Sequence, residues 1–108
     1  MNFALVEGTI STAGFHYPLR IPEGKKKVSV RQMQYIIADT SLGSYSVRTD
    51  LVNGGVLGLV SDSKFPDTPN LVHNINFSSG DNFLFQVYSL TTGILQNEGQ
   101  LSLFLEFI

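Results

Sequence analysis

With 108 residues and no cysteine, the chain is sized for one domain, 1–108, and it excludes both a disulfide scaffold and a thiolate metal site. Apolar residues make up 43% and charged residues only 15%, below the roughly 25% of an average soluble domain. Much of the surface is therefore neutral polar or apolar, which suits a protein covered by other subunits and equally a small β-domain rich in Ser, Thr and Asn. The net charge of −2 gives no basic excess for reading a nucleic acid.

No window keeps helical spacing, and clusters of Gly, Pro, Asn, Asp and Ser return at roughly eight to twelve residues, the punctuation of short strands. The first strand is predicted over Asn2 to Ser11, with Phe3, Leu5 and Glu7 in one phase and Ala4, Val6 and Gly8 in the other. Phe15 to Ile21 is a short extended piece that Pro18 confines to an edge or a connection. After the turn IPEGKKK comes the longest strand, Lys27 to Ala38. Val28 and Val30 occupy one phase of it and Met33, Tyr35 and Ile37 the other. A β-bulge near Arg31 and Gln32 would keep both sets on the core side.

Asp39 to Gly43 turns the chain, and Tyr45, Val47, Thr49 and Leu51 then share one phase against Ser46, Arg48 and Asp50. Asn53-Gly54-Gly55 is a hairpin signal because these residues tolerate positive φ, and Val56 to Val60 is the returning partner. SDSKFPDTPN is the longest loop and the predicted contact surface. Leu71, His73, Ile75 and Phe77 share a phase in the next strand, and Ser78 to Asp81 turns it. Phe83, Phe85 and Val87 begin another strand, and two glycine turns, Thr91-Thr92-Gly93 and Asn97-Glu98-Gly99, bracket a short link to Gln100 to Ile108. The expectation is an all-β antiparallel sandwich of seven or eight short strands, either immunoglobulin-like or a jelly roll.

The chemistry-bearing residues are sparse. Of the two histidines, His73 lies in an apolar phase, where a hydrogen-bonded structural imidazole outweighs a general base, and His16 between Phe15 and Tyr17 reads as a surface residue. No G-x-S-x-G elbow, paired His-x-His or phosphate loop is present, so no catalytic, cofactor or metal residue is predicted and the chain is read as a non-enzyme. Lys25, Lys26 and Lys27 form a charge run that is either a solvated turn or a contact with an acidic neighbour or nucleic acid. All Lys and Arg lie at or before Lys64. That division would favour head-to-tail packing if it became two faces, but strands interleave in space. Tyr35, Tyr45, Phe83, Phe85 and Tyr88 could line a sugar groove, as in a lectin-like module, although their phases point to packing. The apolar runs are too short to span a bilayer, and MNFALVEGTIS lacks the order of a secretory signal; a soluble, unprocessed chain is expected.

The carboxyl-terminal stretch FLFQVYSLTTGILQNEGQLSLFLEFI and the segment SYSVRTDLVNGGVLGLVSD resemble strand pairs of single jelly-roll capsid proteins, the penton and minor virion subunits of icosahedral DNA viruses. The resemblance implies a jelly roll acting as a virion structural subunit without an active site or cofactor. It also implies a homo-oligomer, pentameric or trimeric, in contact with neighbouring capsid proteins; the charge balance and the short apolar runs add the expectation of no specific nucleic acid and no membrane span. Leu101, Leu103, Leu105 and Phe107 would face the core, which leaves Phe104 and Ile108 on the other face of the last strand for a neighbour. With the tips carrying Lys25, Lys26, Lys27 and Phe65, these are the predicted interface residues.

Overall fold

The computed structural model describes residues 2–38, 43–61 and 71–108. Its strands are β1 (Phe3–Thr9), β2 (Phe15–Pro18), β3 (Lys27–Ile36), β4 (Ser44–Thr49), β5 (Val56–Ser61), β6 (Val72–Asn74), β7 (Asn82–Ser89) and β8 (Gln100–Phe107), with a single 3₁₀ turn at Phe77–Ser79. They form two four-stranded antiparallel sheets in the orders β1-β8-β3-β6 and β2-β7-β4-β5. First pairs with last, second with seventh, third with sixth and fourth with fifth. One long antiparallel ribbon is thus folded at β4–β5 and rolled over itself, the winding of a jelly roll.

The predicted phases explain why these segments meet as they do. Val6 from β1, Val28, Val30, Met33 and Tyr35 from β3, and Leu101, Leu103, Leu105 and Phe107 from β8 are buried under Tyr45, Val47, Leu57, Val60, Phe83, Phe85 and Val87 of the other sheet. The expected bulge falls between Val30 and Gln32, where the register of β3 against β8 shifts by one residue. Without that extra residue Met33 and Tyr35 would point to solvent. Tyr35 crosses the core to meet the Tyr45 ring edge-on at 5.0 Å, and its hydroxyl donates to the Glu98 carbonyl at 2.6 Å. Gly99, at φ +112°, leaves room for that ring: a Cβ there would stand 2.6 Å from Tyr35 and Ile37 atoms.

Pro18 does lie on an edge, since β2 borders its sheet. The Asn53-Gly54-Gly55 turn joins β4 to β5 with both glycines at positive φ. The strand expected around Leu71 to Phe77 is shorter than its alternation suggests. Only Val72–Asn74 pairs with β3, while Ile75 makes an isolated bridge to Val52 and Phe77 turns out to solvent in the 3₁₀ turn. Asn76 and Ser79 explain the break, because both donate side-chain hydrogen bonds to the Asp50 carbonyl and draw the chain away from the sheet. The Asp39 to Gly43 turn and the SDSKFPDTPN loop fall mostly outside the described residues.

The last strand is an interior one. β8 lies between β1 and β3, and its end is held by main-chain bonds on both sides. Phe107 N–H donates to Asn2, Ile108 N–H donates to Lys27, and the Ile108 carbonyl accepts from Lys26 and Lys27. The open sides of the sandwich are each bridged by one side chain. The Tyr17 hydroxyl of β2 donates to the Leu5 carbonyl of β1 at 2.9 Å, and His73 Nε2 of β6 to the Leu57 carbonyl of β5 at 2.7 Å. His73 is therefore structural, in the Nε2–H tautomer, since a carbonyl can only accept.

Candidate functional site

Residues that alternate away from the core form two outer faces of different character. On the β1-β8-β3-β6 sheet the register sets Leu5, Phe104 and Gln32 in one row. Phe3, Glu106, Ser29 and Val72 form the next row toward the chain termini. On the other side of the Leu5 row come Glu7, Ser102 and Gln34, then Thr9, Gln100 and Ile36. Phe3, Leu5, Ile36, Val72 and Ile108 of this face are each between 45% and 51% exposed. Phe3 stacks flat on half-buried Phe104, with centroids 5.3 Å apart and planes within 3°. This diagonal pair fixes an apolar strip with Leu5 along the β1 side.

The middle of the face is neutral and polar. Gln32, Gln34 and Ser102 surround a small hollow of about 50 Å³ whose walls include Leu5 and Phe104. Arg31, extruded by the bulge, pairs with Glu106 at 3.4 Å, so the central charges cancel within the face. Glu7 on β1 and Lys27 on β3 lie diagonally across the face, one row above and two rows below the row of Phe104. Both are exposed.

The outer face of the β2-β7-β4-β5 sheet carries His16, Arg48, Gln86 and Tyr88. Arg48 lies over the Tyr88 ring at 5.5 Å. With Thr49, Asp50, Gly55, Leu84 and Gln86 it lines an open hollow of about 290 Å³. Asp50 Oδ1 already accepts from the Leu84 N–H, and Gln86 donates to the Thr12 carbonyl. The short link after Gly93 continues this sheet along β7, through Ser89 N–H to Ile94 and Gln96 N–H to Val87. Of the aromatic residues considered for a sugar groove, Tyr35, Tyr45, Phe83 and Phe85 are in the core, and Tyr88 alone faces out. Among the described residues no group of three or more His, Cys, Asp or Glu stands together to hold a metal ion, and no helix is long and apolar enough to cross a membrane.

Among the predicted interface residues, Ile108, Lys26 and Lys27 come together through main-chain bonds at the end of β8, while the Lys25 N–H donates to the Pro22 carbonyl in the preceding turn. Phe104 lies on the same outward side of that strand, and Phe65 lies outside the described residues. Phe3, Leu5, Ile36 and Val72 were not singled out by sequence. For Phe3 and Leu5 the signal was Glu7, since a carboxylate in their phase marks it as the solvent side; Ile36 and Val72, on β3 and β6, lie outside its reach. The smaller phase of β1 turns inward because the Phe15 ring covers it, 2.6 Å from where a Cβ on Gly8 would stand. The basic and acidic halves of the chain do not become separate faces, since Arg20 shares a hollow with Asp81 and Arg31 pairs with Glu106. No protein-family model, curated protein or solved structure matches the chain.

Proposed function

We propose that this protein is a non-enzymatic viral structural subunit, a capsid component that self-assembles into a symmetric oligomer in the virion. The observation that carries the reading is the apolar outer face of the β1-β8-β3-β6 sheet, where five half-exposed aliphatic and aromatic side chains surround Phe104. Apolar area exposed together on one face marks an interaction surface. The jelly-roll winding adds the class, because capsid subunits are among the proteins built this way, and that step is an analogy of fold. Neighbouring capsid proteins and further copies of the chain are the partners, and the oligomer order expected from the resemblance is five or three.

Native mass spectrometry and light scattering on the purified protein test the assembly. A discrete oligomer that persists on dilution supports the reading, whereas a monomer at all concentrations defeats it. Electron microscopy of virions labelled through the Asn53-Gly54 turn then tests the location, with label at defined positions of the shell as the expected result.

A further inference from the structure

The side chains that make one outer face apolar also make it self-complementary. Both open sides of the sandwich are bridged by Tyr17 and His73, so strand addition at Leu5 of β1 or Leu57 of β5 meets a carbonyl that is already bonded. Association is thereby directed to a face. The remaining exposed large apolar residues, Val56, Leu71, Phe77, Leu90 and Ile94, are spread over the opposite sheet, the loops and the 3₁₀ turn. Within the described residues they offer no second surface of comparable extent, and the best match for the apolar face is the same face of another copy.

Size and charge agree. The strands of 7, 8, 10 and 3 residues, about 4.8 Å apart and rising about 3.3 Å per residue, give a face of roughly 440 Å². Two such faces bury about 900 Å², in the range of a weak or transient contact. Glu7 on the edge strand β1 and Lys27 on the inner strand β3 stand diagonally on opposite sides of Phe104. A two-fold axis lying in the interface beside Phe104, and crossing that diagonal at right angles, exchanges the two positions.

We propose that the outer face of the β1-β8-β3-β6 sheet docks on the same face of a second copy about such a two-fold axis, with Glu7 of each copy opposite Lys27 of the other. The Phe3–Phe104 stack and Leu5 form the dry centre, and the hollow between Gln32, Gln34 and Ser102 receives side chains from the facing copy. This contact rests on the self-assembly reading above and adds to it a two-fold pairing of copies, distinct from the three- or five-fold order expected from the resemblance.

The test is sedimentation of the full chain over a dilution series, with circular dichroism confirming that each variant is folded. The single variants Glu7→Lys and Lys27→Glu each set like charges together twice in the dimer, and each weakens association at least about tenfold. The double variant returns it to within about threefold of the wild type. Leu5→Glu, at a half-exposed position that tolerates a carboxylate, abolishes the dimer. Single variants that associate normally, or a double variant no better than the singles, overturn the two-fold contact. A wild-type trimer or pentamer indifferent to these changes also overturns it while leaving self-assembly standing; a wild-type monomer at every concentration removes both.

Discussion

The two outer faces of the sandwich are built from the same alternation and the same antiparallel rows, yet they treat water differently. On the β2-β7-β4-β5 sheet the outward positions hold Arg48, Gln86 and a half-buried Tyr88, with Arg48 lying across the tyrosine ring. Long polar side chains there cover part of the apolar surface, and Val56 at the start of β5 is the exposed large apolar residue of its strands. On the β1-β8-β3-β6 sheet the outward positions hold Phe3, Leu5, Ile36 and Val72, the Arg31–Glu106 ion pair is spent within the face, and among the described residues Phe3 and Leu5 are about half exposed. A face that folding alone had shaped would resemble the first. The second carries apolar area that the monomer does not use.

The largest change comes from the core that both faces share. Leu103→Ala removes a fully buried side chain from the centre of β8, and it should cost about 2 to 5 kcal/mol of stability. Chemical denaturation followed by near-ultraviolet dichroism should show one transition, because the two sheets share a single core; two separated transitions would break the comparison by making the sheets independent. Phe104→Ser acts on one face only. It removes the stack on Phe3 and part of a hydrophobic surface, about 1 to 2 kcal/mol, and in sedimentation it should lose association as well.

Arg48→Ala is the matching change on the other face. It removes the contact with Tyr88, about 0.5 to 1 kcal/mol, and it should leave association untouched; weakened association would reverse the roles assigned to the faces. The smallest effect has the opposite sign. Ser29 and Ser46, one on each outer face, have buried hydroxyls with no hydrogen-bond partner. Ser46→Ala should raise stability by about 0.5 to 1 kcal/mol in thermal unfolding, since an unpaired buried hydroxyl is a cost that alanine removes.

Alternation was legible because a strand writes its faces into the sequence with period two. Leu101 to Phe107, Tyr45 to Thr49 and Phe83 to Val87 went to the core as read, and the broken phase at Arg31 was a bulge. Neighbours were not legible, because alternation says which side a residue takes and nothing about which strand lies beside it. Pairing Phe3 with Glu106 joins opposite ends of the chain. The candidate face was half legible for a related reason. Phe104 and Ile108 stood out as the second phase of an apolar strand, whereas Phe3 and Leu5 had Glu7 alone in their phase to mark the solvent side, and the Phe15 ring over Gly8 covers the other phase. The truncation of β6 was set by Asn76 and Ser79 reaching to Asp50, a contact between distant turns.

The central place of β8 also governs how the protein comes into being on the ribosome. Of the eight strands it is synthesised last, yet β1 and β3 both take their hydrogen bonds from it. Until it emerges, β1 has no neighbour in its sheet and must wait for a strand that lies beyond six others in the sequence. Such distant pairing slows folding, because the loop must close before any contact repays it. A chain lacking Gln100–Phe107 would therefore carry unsatisfied edges on both β1 and β3 in place of one finished sheet. Such a chain would be open to aggregation through those edges.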